Sequence, residues 1–254
     1  MKKSLWSHTL LCHLWQEFKI WKHFKFVIGP LKEVTLEGVS LDVSMMSPIM
    51  KNNMLEGRYE VQERQLSHAY LNANDCALEI GGAIGFIGLF CKKNIGIKNY
   101  VTVEANPNTL GTLKANYERN GLEPMVWHLA VAGESGTVKL NIGNEFWENS
   151  LLDNGVDATS ETVEVEGRTL NQLVEDAPFT VNTLIIDVEG AEQFIDFSQV
   201  PDSIEKIIIE VHPEFIGVEK VYKLVSDLIV KGFKVLRQED QTLYLQRDVS
   251  SAAS

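Results

Sequence analysis

Apolar positions along the chain alternate between two periods. Short unbroken apolar runs, Cys76–Ile80, Tyr100–Val103, Thr183–Ile186 and Lys206–Val211, end in glycine, acid or histidine. Between them lie longer segments, 59–71, 108–120 and 218–231, in which apolar residues recur every third or fourth position. Continuous apolar runs read as parallel strands buried on both faces, and the 3.6-residue period reads as covering helices. The order therefore predicts an α/β chain on a mostly parallel sheet. Ahead of it, Val34–Val43 alternates about Glu37-Gly38 and predicts a hairpin, and 44–57 reads as a polar, methionine-bearing loop. Met125–Ala132 predicts a third strand, with further β segments over Gly136–Ile142 and Glu161–Val165. Thr169 caps a short helix to Glu175, and strands Phe233–Arg237 and Thr242–Arg247 close the chain.

The centre of this pattern is Cys76-Ala-Leu-Glu-Ile-Gly-Gly-Ala-Ile-Gly-Phe-Ile-Gly88. Strand, glycine turn and helix open a nucleotide-binding unit. A dinucleotide fingerprint fails at Ala83, and the Gly-Lys-Ser/Thr of a P-loop is absent. The pattern that fits is acid-x-Gly-x-x-x-Gly, with Glu79, Gly81 and Gly85. An acid suits the cationic ends of S-adenosylmethionine and would repel a pyrophosphate. Glu104 ends the second strand about 20 residues beyond the glycines, the spacing of a ribose-binding carboxylate. Asp187 and Glu189 follow the fourth strand, and Glu210 and His212 end the fifth, so four polar groups are expected on one sheet edge. Glu60 and Glu63, one turn apart on the 59–71 helix, are a pair that would suit an amino group or plain solvent. His128, in mid-strand, reads as a satisfied core or edge histidine, and 146–152 as a substrate-side loop.

Composition narrows the partners. The net charge of −12 over 254 residues argues against a general nucleic-acid binder. Residues 1–26 carry net +4, on an amphipathic pattern with Trp6, Leu10, Leu14 and Phe18 spaced four apart. That helix is a candidate for a membrane surface or a partner, with packing onto its own domain or a second subunit as the plainer reading; a homodimer is one candidate assembly. Polar residues interrupt the apolar stretch, so no signal peptide is expected, and the three scattered cysteines read as reduced cytoplasmic thiols. The expected organisation is an extension over 1–30, one domain over 31–249, and a disordered tail over 250–254.

Taken together, these residues resemble the FkbM family of S-adenosylmethionine-dependent methyltransferases over about 34–247. The resemblance rests on Gly57-Arg-Tyr-Glu60, Glu79-Ile-Gly-Gly-Ala-Ile-Gly85, Glu104-Ala-Asn-Pro107, Asn149-Ser-Leu151 and Ile185-Ile-Asp-Val-Glu-Gly-Ala-Glu192. Glu79, Ala83 and Ile185 stand where the family usually has Asp, Asn and Lys. The resemblance implies a Rossmann-like class I methyltransferase sheet, mostly parallel with an antiparallel closing strand. It implies S-adenosyl-L-methionine held by Glu60, Glu79, Gly81, Gly82, Ala83, Ile84, Gly85, Glu104, Ala105, Asn106, Ala130 and Asp187. The implied reaction is O-methylation of a sugar, glycan or secondary metabolite with a free hydroxyl. His212 or Asp187 takes its proton, and Glu189 orients the acceptor or the base. No metal is assigned: Asp187 and Glu189 would suit a divalent cation, but the sequence does not demand one. The alternative is a chain that binds the cofactor and has lost the chemistry, which the Ala83 and Ile185 departures favour.

Overall fold

The computed structural model of this protein describes residues 22, 24–142 and 161–248. They fall into two compact units on either side of the Tyr59–Glu60 bond. In the first, β1 (Glu33–Leu36) and β2 (Val39–Asp42) form the antiparallel hairpin that the alternation predicts. Glu37 and Gly38 turn it with φ of 49° and 76°, the left-handed pair that a two-residue hairpin loop requires. The expected loop over 44–57 is instead largely helical: α1 spans Pro48–Leu55. Ser47 Oγ accepts from the Met50 N–H, and Pro48 sits in the first turn, where its missing N–H leaves no carbonyl unpaired.

The second unit is built on seven strands. They are β3 (Cys76–Ile80), β4 (Asn99–Glu104), β5 (Val126–His128), β9 (Thr183–Ile186), β10 (Lys206–Glu210), β11 (Phe233–Glu239) and β12 (Thr242–Arg247). Their spatial order is β11-β12-β10-β9-β3-β4-β5, parallel except for β12, which runs antiparallel to both neighbours. The expected sheet is thus present. Its apolar runs are buried as predicted: Leu78, Val101, Leu184, Ile207 and Ile209 have no exposed surface. Helices α2 (Val61–Tyr70), α3 (Phe86–Phe90), α4 (Pro107–Arg119), α5 (Leu170–Glu175), α6 (Pro213–Ile216) and α7 (Val218–Val230) connect the strands. Thr169 caps α5 in a full capping box with Gln172.

One predicted strand is divided. Met125–Ala132 breaks at Leu129 into β5, in the main sheet, and β6 (Ala130–Val131), which joins β7 (Gly136–Ile142) and β8 (Glu161–Arg168) in a separate three-stranded sheet. Among the described residues no helix is long and apolar enough to cross a membrane. The expected N-terminal amphipathic helix up to residue 21, the 146–152 loop and the 250–254 tail lie outside the described residues.

Candidate active site

Register, rather than any single motif, assembles the site. Ile80 pairs with Val103 and Ile186, and Ile186 pairs with Ile209. The next residue of each strand therefore lies in one row along the carboxyl edge: Glu104, Gly81, Asp187 and Glu210. The chain leaves β3 toward β4 and β5 and returns on the other side through β9. The gap between β3 and β9 is thus the topological switch point, where open α/β sheets bind ligands.

On the β3–β4 side, the turn is packed as tightly as backbone allows. Gly81 has φ 95°, and a Cβ there would lie 1.6 Å from the Asp187 carbonyl oxygen; at Gly82 it would lie 2.1 Å from Thr102 Cγ2. No side chain fits either position. Ala83 follows with φ 45°, left-handed for a residue that has a Cβ. Ile84 is buried, with its carbonyl accepting from Asn116 Nδ2 at 2.9 Å, and Gly85 starts α3. Glu104 holds the turn from the next strand: its two oxygens accept from Ala83 N–H at 2.7 Å and Asn106 N–H at 2.6 Å. Burial raises the Glu104 carboxyl to about 7, against the lowering effect of those hydrogen bonds. Asn106 caps α4 through the Asn108 N–H, Ala105 packs against the small sheet, and Ala130 is in that same cluster. His128 lies on β5, the edge strand of the main sheet, exposed and with Nε2 3.1 Å from the Ala105 carbonyl, in keeping with the edge alternative.

Glu79 is placed differently from the ligand-facing acid read from the motif. Its carboxyl is buried at 3% exposure and accepts from Thr102 Oγ1 at 2.7 Å. It lies against Gly88 of α3, whose hypothetical Cβ would be 3.0 Å from Glu79 Oε2 and 2.1 Å from Tyr117 Oη. The side chain thus points into the strand–helix layer beneath the turn. Burial pushes its pKa up to about 8, despite the Thr102, Tyr100 and Gly88 hydrogen bonds.

On the β9–β10 side, β9 ends with its apolar run at Ile186, and β10 ends at Glu210, one residue before its run does. Asp187 and Glu189 are therefore brought together by a turn, not by strand alternation. Glu189 has φ 46° and Gly190 φ 94°, which folds the chain back into a helical turn over Ala191–Phe194. His212 Nε2 lies 3.6 Å from Asp187 Oδ1 and 3.5 Å from Glu189 Oε2. Its ring stacks on Phe215 at 5.8 Å. Glu192, fully buried, accepts from the His212 N–H at 2.8 Å, faces Nδ1 at 3.3 Å, and ties down the Gly190 N–H at 2.8 Å. No role was read for Glu192 from the sequence. Its place as the last acid of the Ile185–Glu192 segment, two residues past Gly190, was the available signal.

The electrostatics of this half follow from its carboxylates. Burial lowers the His212 pKa, but the Glu192 hydrogen bond and the charges of Asp187 and Glu189 outweigh it and bring it up to about 9. Asp187 is held well above the usual carboxylate range by burial, then by the charges of Glu210, Glu60 and Glu189. Glu60, the left-handed residue that precedes α2, is thereby brought to the same crevice. Glu210 rises to about 7 through burial and the Glu63 charge; Glu63 itself accepts from Thr242 Oγ1. The acids around His212 thus hold its proton more tightly than a free imidazole near 6.5 would.

The arrangement is a turn and a ribose-type carboxylate on one side of the switch point and an acid–imidazole cluster on the other. No curated protein matches the sequence. Solved structures with a similar course include M. capricolum TrmK with S-adenosyl-homocysteine, at TM-score 0.41 and 14% identity over 72% of this chain, which spans 65% of that one. M. jannaschii TYW2 with AdoMet matches at TM-score 0.43 and 14% identity over 87% of this chain and 89% of its own. The ribosomal protein L11 methylase of Lactobacillus delbrueckii subsp. bulgaricus matches at TM-score 0.45 and 10% identity, over 75% and 79%. In sequence, residues 75–229 match the methyltransferase FkbM domain. That stretch is more than half of the chain and includes every candidate site residue except Glu60 and Glu63, so the chain belongs to the FkbM family of S-adenosylmethionine-dependent methyltransferases.

Proposed function

We propose that this protein transfers a methyl group to a hydroxyl of a small molecule or glycan. The observation that carries the reading is the convergence of Asp187, Glu189, Glu210 and His212 beside Gly81. The residues fit a cationic nucleoside: Glu104 offers carboxylate oxygens to a diol, and the acids across the switch point suit a positive charge. When bound, S-adenosylmethionine supplies an electrophilic methyl carbon, so this chain has to align the acceptor oxygen and receive its proton. The Asp187 and Glu189 carboxylates flank one imidazole nitrogen and are the proton acceptors within reach. Both are raised above ordinary carboxylates, chiefly by burial. His212, held by Glu192 through Nδ1, sets its Nε2 between the two carboxylates. An RNA acceptor is disfavoured, because its phosphates would meet these acids.

The test is methyl transfer from labelled S-adenosylmethionine to a library of hydroxyl compounds, for the wild type, Asp187→Asn and Glu189→Gln. S-adenosylhomocysteine binding is measured alongside by calorimetry. Loss of turnover by about 100-fold or more with cofactor binding kept is expected; unchanged turnover in both variants removes the pair from the mechanism.

A further inference from the structure

The acid cluster contains more negative charge than its protein partners answer. Among the described residues no lysine or arginine forms an ion pair with Asp187, Glu189 or Glu210; the single basic neighbour of Asp187 and Glu189 is His212. His212 is itself shared with Glu192. Carboxylates drawn together without compensation repel strongly in a site of reduced dielectric, and such sites persist when a cation completes them.

A second observation points into the same space. Asp187 Oδ1 is shut off from solvent and no donor reaches it within hydrogen-bonding distance. A buried carboxylate oxygen with no donor is destabilising, and buried polar atoms in native proteins are almost always satisfied. The nearest basic atom, His212 Nε2, stands at 3.6 Å, too far for a hydrogen bond. Around this orphan, Asp187, Glu210 and His212 each bring one ligand atom, all within 4.8 Å of one another. Three donors about a common ion at roughly 2.0–2.2 Å stand up to about 4.4 Å apart, so a small inward movement closes the set.

The outer partners suit a metal as well. Glu192 faces His212 Nδ1 and leaves Nε2 toward the carboxylates, the carboxylate–histidine arrangement that fixes a ligating imidazole. Strand pairing sets the backbones: Asp187 follows β9 and Glu210 ends β10, in adjacent register. We propose that Asp187, Glu210 and His212 bind a divalent cation. One nitrogen and two carboxylate donors favour a first-row ion such as Mn2+ or Zn2+ over Ca2+, which takes oxygen ligands in larger number. The ion leaves positions open for an acceptor oxygen, with Glu189, outside the ligand set, free to receive the proton. That use of the ion rests on the hydroxyl-methylation reading; its binding does not.

The test uses the full chain, stripped with chelator and titrated with Mn2+ alone, with free Mn2+ read by electron paramagnetic resonance. One saturable site is expected, with a nitrogen coupling to the bound ion that disappears in His212→Gln. Affinity should fall about 100-fold or more in Glu210→Gln and in His212→Gln, and by less than about tenfold in Glu189→Gln. S-adenosylhomocysteine binding and circular dichroism report whether each variant is folded. Should a variant fail to fold, the nitrogen coupling in the wild type still decides. No saturable site, no nitrogen coupling, or equal affinity in wild type, Glu210→Gln and His212→Gln overturns the proposal. Mn2+ bound on these residues without methyl transfer to any hydroxyl supports the site and counts against the reaction; hydroxyl methylation by the metal-stripped chain supports the reaction and overturns the ion's use in it.

Discussion

Replacing Glu79 with glutamine tests whether this acid is a neutral structural group. Its carboxyl is buried beneath the turn, accepts from Thr102, and titrates at about 8 against an ordinary 4.5. The folded pKa is the raised one. The protonated group therefore contributes fully below pH 4.5, and the contribution is lost as pH rises through about 8. Glutamine keeps the shape and the acceptor oxygen and does not titrate. The stability gap between Glu79→Gln and wild type should be near zero at pH 4. It should widen by about 1.4 kcal/mol per pH unit above the unfolded pKa and level off past the folded one. Between pH 6 and 9 this amounts to about 2–3 kcal/mol. Glu104 titrates in both proteins and largely cancels in the difference. Urea unfolding followed by circular dichroism at pH 5, 6, 7.5 and 9 measures it. Parallel pH profiles for the two proteins would show that Glu79 is ionised in the fold and that the buried-acid argument is wrong.

Two further perturbations address the turn itself. Glu104→Gln leaves one oxygen where the carboxylate now receives Ala83 and Asn106; S-adenosylhomocysteine affinity by calorimetry should fall about 10–100-fold. At Ala83, with φ 45°, asparagine should stabilise by about 0.5–1 kcal/mol and valine destabilise by about 1 kcal/mol or more. Thermal unfolding reads both, and equal shifts or the reverse order for the two substitutions would contradict a left-handed residue there.

Most of the sheet was legible because a strand buried on both faces leaves an unbroken apolar run. Cys76–Ile80, Thr183–Ile186 and Lys206–Glu210 are such runs, and their helices carry the complementary period. Met125–Ala132 was misread for the same reason. Its run is continuous, yet Val126–His128 pairs with β4 while Ala130–Val131 pairs with β8, and that choice of partner is tertiary. Pro48–Leu55 was missed because its methionines, asparagines and lysine carry little apolar period; the Ser47-Pro48 start was the local signal.

The site was legible where it follows from sheet register and opaque where it follows from a turn. Glu104, Gly81, Asp187 and Glu210 are strand-tip residues, and any parallel reading puts them on one edge. Glu189 and Glu192 reach the imidazole only because the backbone turns left-handed at Glu189 and Gly190. No two-residue period describes that. The same left-handed geometry occurs at Glu60 and Ala83, so three residues with a Cβ are held in a sparsely populated conformation in the segments that supply the crevice. Strain of that kind persists where surrounding contacts over-determine it. Here the contacts are Glu192 on the Gly190 N–H and Glu104 on the Ala83 N–H. Glutamine at 192 would keep the shape but lose the charge that holds His212, so its effect should appear in the pH profile of turnover before it appears in stability.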